Sequence, residues 1–196
     1  MSLHIFKRGI NKRAIFADTA DYEFLLGTIV ALGASHGLDI HAYALMTNHY
    51  HLIATPSTKD VLPRVMRDIS YAYVRYFNRK YGRIGTLWNE RYGAVLLDDE
   101  RYWLTCLRYV ELNPVRAHLV DDSGAYRWSS YRIHAQGDAC SWLTTHPTYL
   151  GLGHDPQTRQ SAYRSICGVP LTEAELTLQR RPPHRASSDP VSGTGA

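Results

Sequence analysis

The order in which patterned segments follow one another constrains this chain more than any single residue does. Leu3 to Arg8 (LHIFKR) alternates as a short strand, and Gly9 with Asn11 supplies the turn chemistry that ends it. Asp18 can cap a helix reaching about His36, with Phe24, Leu25, Ile29 and Leu32 on one face and Gly37 as a left-handed stop. Ile40 to Met46 and His49 to Thr55 have the length and β-propensity of strands, and the turn at Thr47 and Asn48 makes them a hairpin. Asp60 opens an amphipathic helix to about Tyr81, Gly82 and Gly85 begin a loop, and Ala94 to Asp98 form a fourth strand. Strand, helix, strand, strand, helix, strand is the split βαβ, ferredoxin-like order. The expected fold class is therefore α+β, with an antiparallel sheet, helices on one face, and an additional helix from Asp98 or Asp99 that must break near Asn113-Pro114.

Residues 1–135 are expected to form the main domain and 136–180 a small helical C-terminal extension, with helical patterns around Trp128 to Gln136 and Gln157 to Cys167. Residues 181–196 (RPPHRASSDPVSGTGA) have almost no apolar content and are expected to be a disordered tail. No run of about 18 apolar residues and no leader-like start is present, so no membrane partner is expected and the expected location is cytoplasmic, associated with the nucleoid. Cys106, Cys140 and Cys167 lack Cys-x-x-Cys spacing, which argues against a disulfide framework or a thiolate zinc site.

Side chains on a strand alternate faces, so in His49-Tyr50-His51 both imidazoles project from one side and Tyr50 from the other. Such a pair is either a half-exposed, hydrogen-bonded surface feature or two nitrogen ligands awaiting a third. The helix beginning near Asp99 offers one. At about 100° per residue, Trp103, Cys106, Leu107 and Val110 form an apolar stripe, while Tyr102, Tyr109 and Asn113 fall along its margin. Asn113 lies one turn after Tyr109, where it is a metal ligand or, standing before Pro114, a helix cap.

The net charge of +4 is distributed unevenly. Arg64, Arg67, Arg75, Arg79, Lys80, Arg83 and Arg91 face only Asp68 and Glu90 within their stretch, which leaves the rest of the chain slightly acidic. On the helix from Asp60, the residues Leu62, Val65, Met66, Ile69, Tyr73, Tyr76 and Phe77 occupy one arc, and Arg64, Arg67, Tyr71, Arg75 and Arg79 the opposite one. With Lys80, Tyr81, Arg83, Trp88, Arg91 and Tyr92 following, this is the mixture of cations and stacking rings that single-stranded nucleic acid requires.

The strings ALMTNHYHLIATP, YFNRKYGRIGTLWNERYGAVLLDD and RYVELNPVRAHLV resemble the three signature stretches of the HUH-type single-tyrosine transposases. Among these the resemblance is to the REP-associated tyrosine transposases, with a transposase IS200-like domain. FKRGINKRAIF is similar to their first strand and turn, and YRWSSYR to the segment after their core. The resemblance implies that His49, His51 and Asn113 hold a divalent metal, Mg²⁺ or Mn²⁺, and that Tyr109 is the nucleophile. It implies cleavage and strand transfer of single-stranded or hairpin DNA through a covalent 5′-phosphotyrosine, and it is compatible with a homodimer. Two positions depart from the pattern: Thr47 stands where proline is common, and His118 where glycine is common.

Two imidazoles and an amide oxygen leave coordination positions open and suit Mg²⁺ or Mn²⁺ better than a closed zinc site. Two other functions compete with transposition. A metallohydrolase using water commonly carries His-x-His-x-Asp-His, whereas Leu52, Ile53 and Ala54 follow His51 here. A non-catalytic nucleic-acid-binding module would need the basic helix but not the combination of His49, His51, Tyr109 and Asn113.

Overall fold

The structure, a computed structural model, describes residues 1–179, so the tail expected over 181–196 lies outside the described residues. Four strands, β1 (Ser2–Arg8), β2 (Leu38–Met46), β3 (His49–Pro56) and β4 (Gly93–Leu97), form one sheet in the order β2-β3-β1-β4. Every neighbouring pair is antiparallel. Between them run α1 (Thr19–His36) and α2 (Val61–Tyr81), followed by α3 (Glu100–Glu111) and the single turn α4 (Asn113–Arg116). This is the ferredoxin-like arrangement that the segment order predicts.

The helix boundaries follow their local chemistry. Asp18 and Asp21 form a reciprocal capping box that starts α1, and Gly37 ends it at φ 79°. Gly82 ends α2 at φ 60°. Asp99 caps α3 by accepting from the Tyr102 amide at 2.7 Å. Phe24, expected on the inner face of α1, is exposed and stacks on Tyr76, because Leu25, Ile29 and Gly33 are the positions that meet the sheet.

Alternation along the strands divides the interior into two layers. On one face Ile5, Tyr43, Leu45, Tyr50, Leu52 and Ala54 pack against α1 and α2 through Leu25, Ile29, Val65, Met66, Ile69 and Tyr73. On the other, Ala42, Ala44, Met46, Ile53, Val95 and Leu97 pack against α3 through Trp103, Cys106, Leu107 and Val110. The additional helix thus covers the sheet face that α1 and α2 leave open.

The C-terminal part closes what would otherwise be an exposed sheet edge. Beside β2, the Leu45 amide donates to the Trp128 carbonyl at 2.8 Å, Ser130 to Tyr43 at 3.0 Å and Thr144 to Ile40 at 2.8 Å. Four further helices, α5 (Tyr131–Gln136), α6 (Pro147–Leu150), α7 (Pro156–Cys167) and α8 (Glu173–Gln179), complete the described chain. α5 and α7 meet α3 at Glu111, whose fully buried carboxylate accepts from Ser130 Oγ, His134 Nδ1 and Tyr163 Oη, while α8 reaches α3 through Glu175 and Arg108, 3.3 Å apart. Among the described residues, no helix is long and apolar enough to cross a membrane.

Candidate active site

The hairpin turn at Thr47 and Asn48 sets the register in which His49 lies opposite Arg8, and His51 opposite Phe6 on β1 and Ala44 on β2. Both histidines therefore sit at one end of a central strand and face the α3 layer, while Tyr50 is buried in the α1 and α2 layer. Their rings stand at 87° with centroids 4.9 Å apart. His51 is 6% exposed, and burial, followed by the neighbouring imidazoles of His4 and His49, holds its pKa well below the usual imidazole range. Burial, assisted by the Arg8 guanidinium, pushes His49 down to about 4. Both rings are therefore neutral near pH 7, the form a metal requires.

The opposite wall is α3. Tyr109 is half-buried and presents its ring edge-on to His51, with centroids 5.7 Å apart at 85°, and to His4 at 5.9 Å and 72°. One turn later the Asn113 amide lies 3.1 Å from His51 Nε2. The helical break at Leu112 explains this placement, because Asn113 is already inside α4 and its side chain caps nothing. The capping alternative for Asn113 therefore fails, and its amide faces the histidine. Tyr109 reaches His51 within a single chain.

The donor set can be tested for a divalent ion. Two cis ligands about 2.1 Å from an octahedral ion stand about 3 Å apart, close to the separation of His51 Nε2 and the Asn113 amide. The amide presents nitrogen to His51 in this structure, and half a turn about its terminal torsion puts oxygen in that place. Among the described residues, no three His, Cys, Asp or Glu side chains converge as a metal cluster. The third donor here is an amide, so His49, His51 and Asn113 fit as a set outside those residue types.

The basic residues expected to bind nucleic acid separate into two groups. Arg64, Arg67, Arg75 and Arg79 are exposed on α2, in the layer on the opposite side of the sheet from His51. Arg67 pairs with Asp68 at 2.8 Å, and Arg75 lies over the Tyr71 ring at 5.4 Å. Lys80 is not a free cation: its ammonium lies 2.7 Å from Asp18 and 2.8 Å from Asp21, bracing α1 against α2. Arg83 and Arg91 belong to the loop after α2, which returns to β1 through the Gly9 and Trp88 bridge, at the strand end that bears His49.

Sequence reasoning missed the two arginines nearest the site. Arg8 shares a register position with His49, and Arg116 lies over the Tyr109 ring with its guanidinium carbon 5.1 Å from the centroid. Neither forms an ion pair among the described residues. Both stand in the strings FKRGINK and NPVRA, but they lie outside the basic stretch on which charge counting concentrates. His4 was also missed: it is buried on β1, diagonal to His51 across the sheet.

Fold and site together define an α+β protein with the architecture of the REP-associated tyrosine transposases. The solved structure of such a transposase bound to a REP hairpin overlays with a TM-score of 0.59 at 19% identity, covering 75% of this chain and 89% of that one. The family model for IS200-like transposases matches residues 1–113, and the chain belongs to that family. Weaker overlaps are with a Deinococcus radiodurans protein described as a candidate transposase, TM-score 0.43 at 17% identity, covering 52% of this chain and 82% of that one. Another is with tRNA(His) guanylyltransferase from Saccharomyces cerevisiae, TM-score 0.47 at 14% identity over 88% and 80%. None of the curated proteins matches the sequence.

Proposed function

We propose that this transposase cuts and rejoins single-stranded DNA, with a hairpin or palindromic repeat as substrate, through a covalent bond to Tyr109. The observation that carries the reading is the convergence of a tyrosine ring edge and an amide on one histidine of a strand-borne pair. That the structurally similar transposase is bound to a REP hairpin supports the substrate class.

His49, His51 and Asn113 would hold Mg²⁺ or Mn²⁺, which when bound supplies Lewis-acid polarisation of the scissile phosphate. Tyr109 Oη attacks phosphorus and the bond from phosphorus to the 3′-oxygen breaks. The departing oxygen takes a proton to become a free 3′-hydroxyl, and the 5′ end stays on the tyrosine as a phosphodiester. Attack by a 3′-hydroxyl on the same phosphorus expels Tyr109 and restores a continuous strand, so no nucleotide hydrolysis is needed. Arg8 and Arg116, without an ion pair among the described residues, flank this position as donors to phosphate oxygens. Arg83 and Arg91 extend the basic track along the same strand end, whereas Arg64, Arg67, Arg75 and Arg79 would meet only DNA that wraps around the α2 layer.

The decisive experiment incubates the full chain with labelled hairpin DNA and Mn²⁺, separates the products under denaturing conditions and maps any adduct by peptide mass spectrometry. The expected adduct lies on Tyr109 and joins the 5′-phosphate, and Tyr109→Phe binds the hairpin but forms none. An adduct on another of the fourteen tyrosines, or wild-type cleavage by the phenylalanine variant, would overturn the mechanism.

A further inference from the structure

A metal-binding imidazole needs a bare lone pair on one nitrogen and a proton on the other, and the partner of the second nitrogen decides which is which. His49 Nδ1 lies 2.6 Å from Asn48 Oδ1. The Asn48 nitrogen is committed to the Lys12 carbonyl at 2.9 Å, so the atom facing His49 is an oxygen that can only accept. His49 therefore carries its proton on Nδ1 and leaves Nε2 bare.

His51 is set in the same sense by a different residue. Its Nε2 receives the Asn113 amide at 3.1 Å, and its Nδ1 lies 2.9 Å from His4 Nε2. With Nε2 accepting, the ring proton stands on Nδ1 and is donated to His4 Nε2. His4 must then carry its own proton on Nδ1, and that nitrogen is buried without a hydrogen-bond partner among the described residues. His4 is 1% exposed, with its ring stacked beside that of His51 at 5.1 Å.

A buried donor left unmet costs stability, and a phenylalanine of similar volume would only move that cost from His4 Nδ1 to His51 Nδ1. Counted in unmet donors the two side chains are even, so folding gives the imidazole at position 4 no advantage. Its one completed bond goes to His51. We propose that His4 and Asn48 are positioning residues that hold the imidazole pair in matching Nδ1–H tautomers, aiming both Nε2 lone pairs at the metal position. The proposal rests on the reading of His49 and His51 as metal ligands.

The test uses the full chain carrying ¹⁵N-labelled histidine, first without metal. Nitrogen shifts should report Nδ1–H tautomers for His49 and His51 in the wild type. In His4→Phe, His51 alone should lose that tautomer while thermal stability stays about level. Titration with Mn²⁺ should then show affinity reduced by about 10-fold to 100-fold. His4→Gln, whose side-chain oxygen can accept from His51 Nδ1, should recover most of it, and Asn48→Ala should alter the tautomer of His49 alone. Wild-type tautomers and Mn²⁺ affinity in His4→Phe, or a glutamine variant no better than phenylalanine, would overturn the proposal. Failure of the metal reading looks different: Mn²⁺ binding would be absent from the wild type or indifferent to His49→Ala and His51→Ala. The tautomers of the metal-free protein would still decide what His4 and Asn48 do.

Discussion

Beneath α1 and α2 the sheet buries Ile5, Leu45, Tyr50 and Leu52, whereas beneath α3 the same strands bury His4 and His51, α3 adds Glu111 and α4 adds Asn113. Against the sheet the first layer is apolar and held by area removed from water; its buried carboxylate, Asp21, lies between α1 and α2 and is answered by Lys80, Tyr76 and Tyr81. The second carries polar groups that must be answered individually, by Ser130, His134 and Tyr163 at Glu111 and by His4 and Asn113 at His51. One face of the sheet therefore supplies folding free energy without touching the chemistry, and the other spends part of it on groups aimed at the chemistry.

If that division holds, the largest stability loss comes from Glu111→Ala, which strands three buried donors at once and should cost about 3–5 kcal/mol. Because Glu111 stands between Tyr109 and Asn113 on the chain, the folded fraction should also cleave DNA more slowly. Denaturant unfolding paired with cleavage assays checks both, and undiminished activity per folded molecule would detach this network from the site. Ile69→Ala, in the opposite layer, should cost about 2–5 kcal/mol by leaving a cavity. Its activity per folded molecule and its Mn²⁺ affinity should match the wild type, and a loss of either would show that the faces communicate.

Acid should act on the α3 face. Burial pushes the pKa of His4 down to about 4 from an ordinary value of 6.5, so the unfolded chain binds this proton first as pH falls. Stability from this group is complete above about pH 6.5 and declines toward pH 4, by at most about 3 kcal/mol. Thermal melts across that window should show the decline, and His4→Phe should make it shallower, with His49 and His51 supplying the rest; equal slopes in the two proteins would remove His4 from the account. The smallest effect belongs to His118, which leaves α4 at φ 55°, a conformation glycine adopts more easily. His118→Gly should be neutral or stabilising by up to about 1 kcal/mol without changing cleavage, and a clear loss of stability would mean that the imidazole is held by contacts of its own.

As far as α3, local pattern determined the element order, the strand and helix spans to within a residue or two, the ends at Gly37 and Gly82, and the separation of Tyr50 from its flanking histidines; α6 and α8 it did not show. These are consequences of short-range geometry: a period of two on strands, 3.6 on helices, and side-chain capping. The pairing of Tyr109 with Asn113 was legible for the same reason, although whether that amide capped a helix or faced the histidine pair was not. Tertiary structure decided this, because a hydrogen bond across 62 residues depends on how α3 crosses the sheet. It also decided which cations stand near the site. Charge density along the chain points to α2, but α2 packs on the far face, and the arginines beside the histidine pair and the tyrosine are Arg8 and Arg116. His4 shows the limit most clearly. A single histidine in LHIFKR carries no signal until strand register sets it diagonal to His51, and register belongs to the assembled sheet and not to either strand alone.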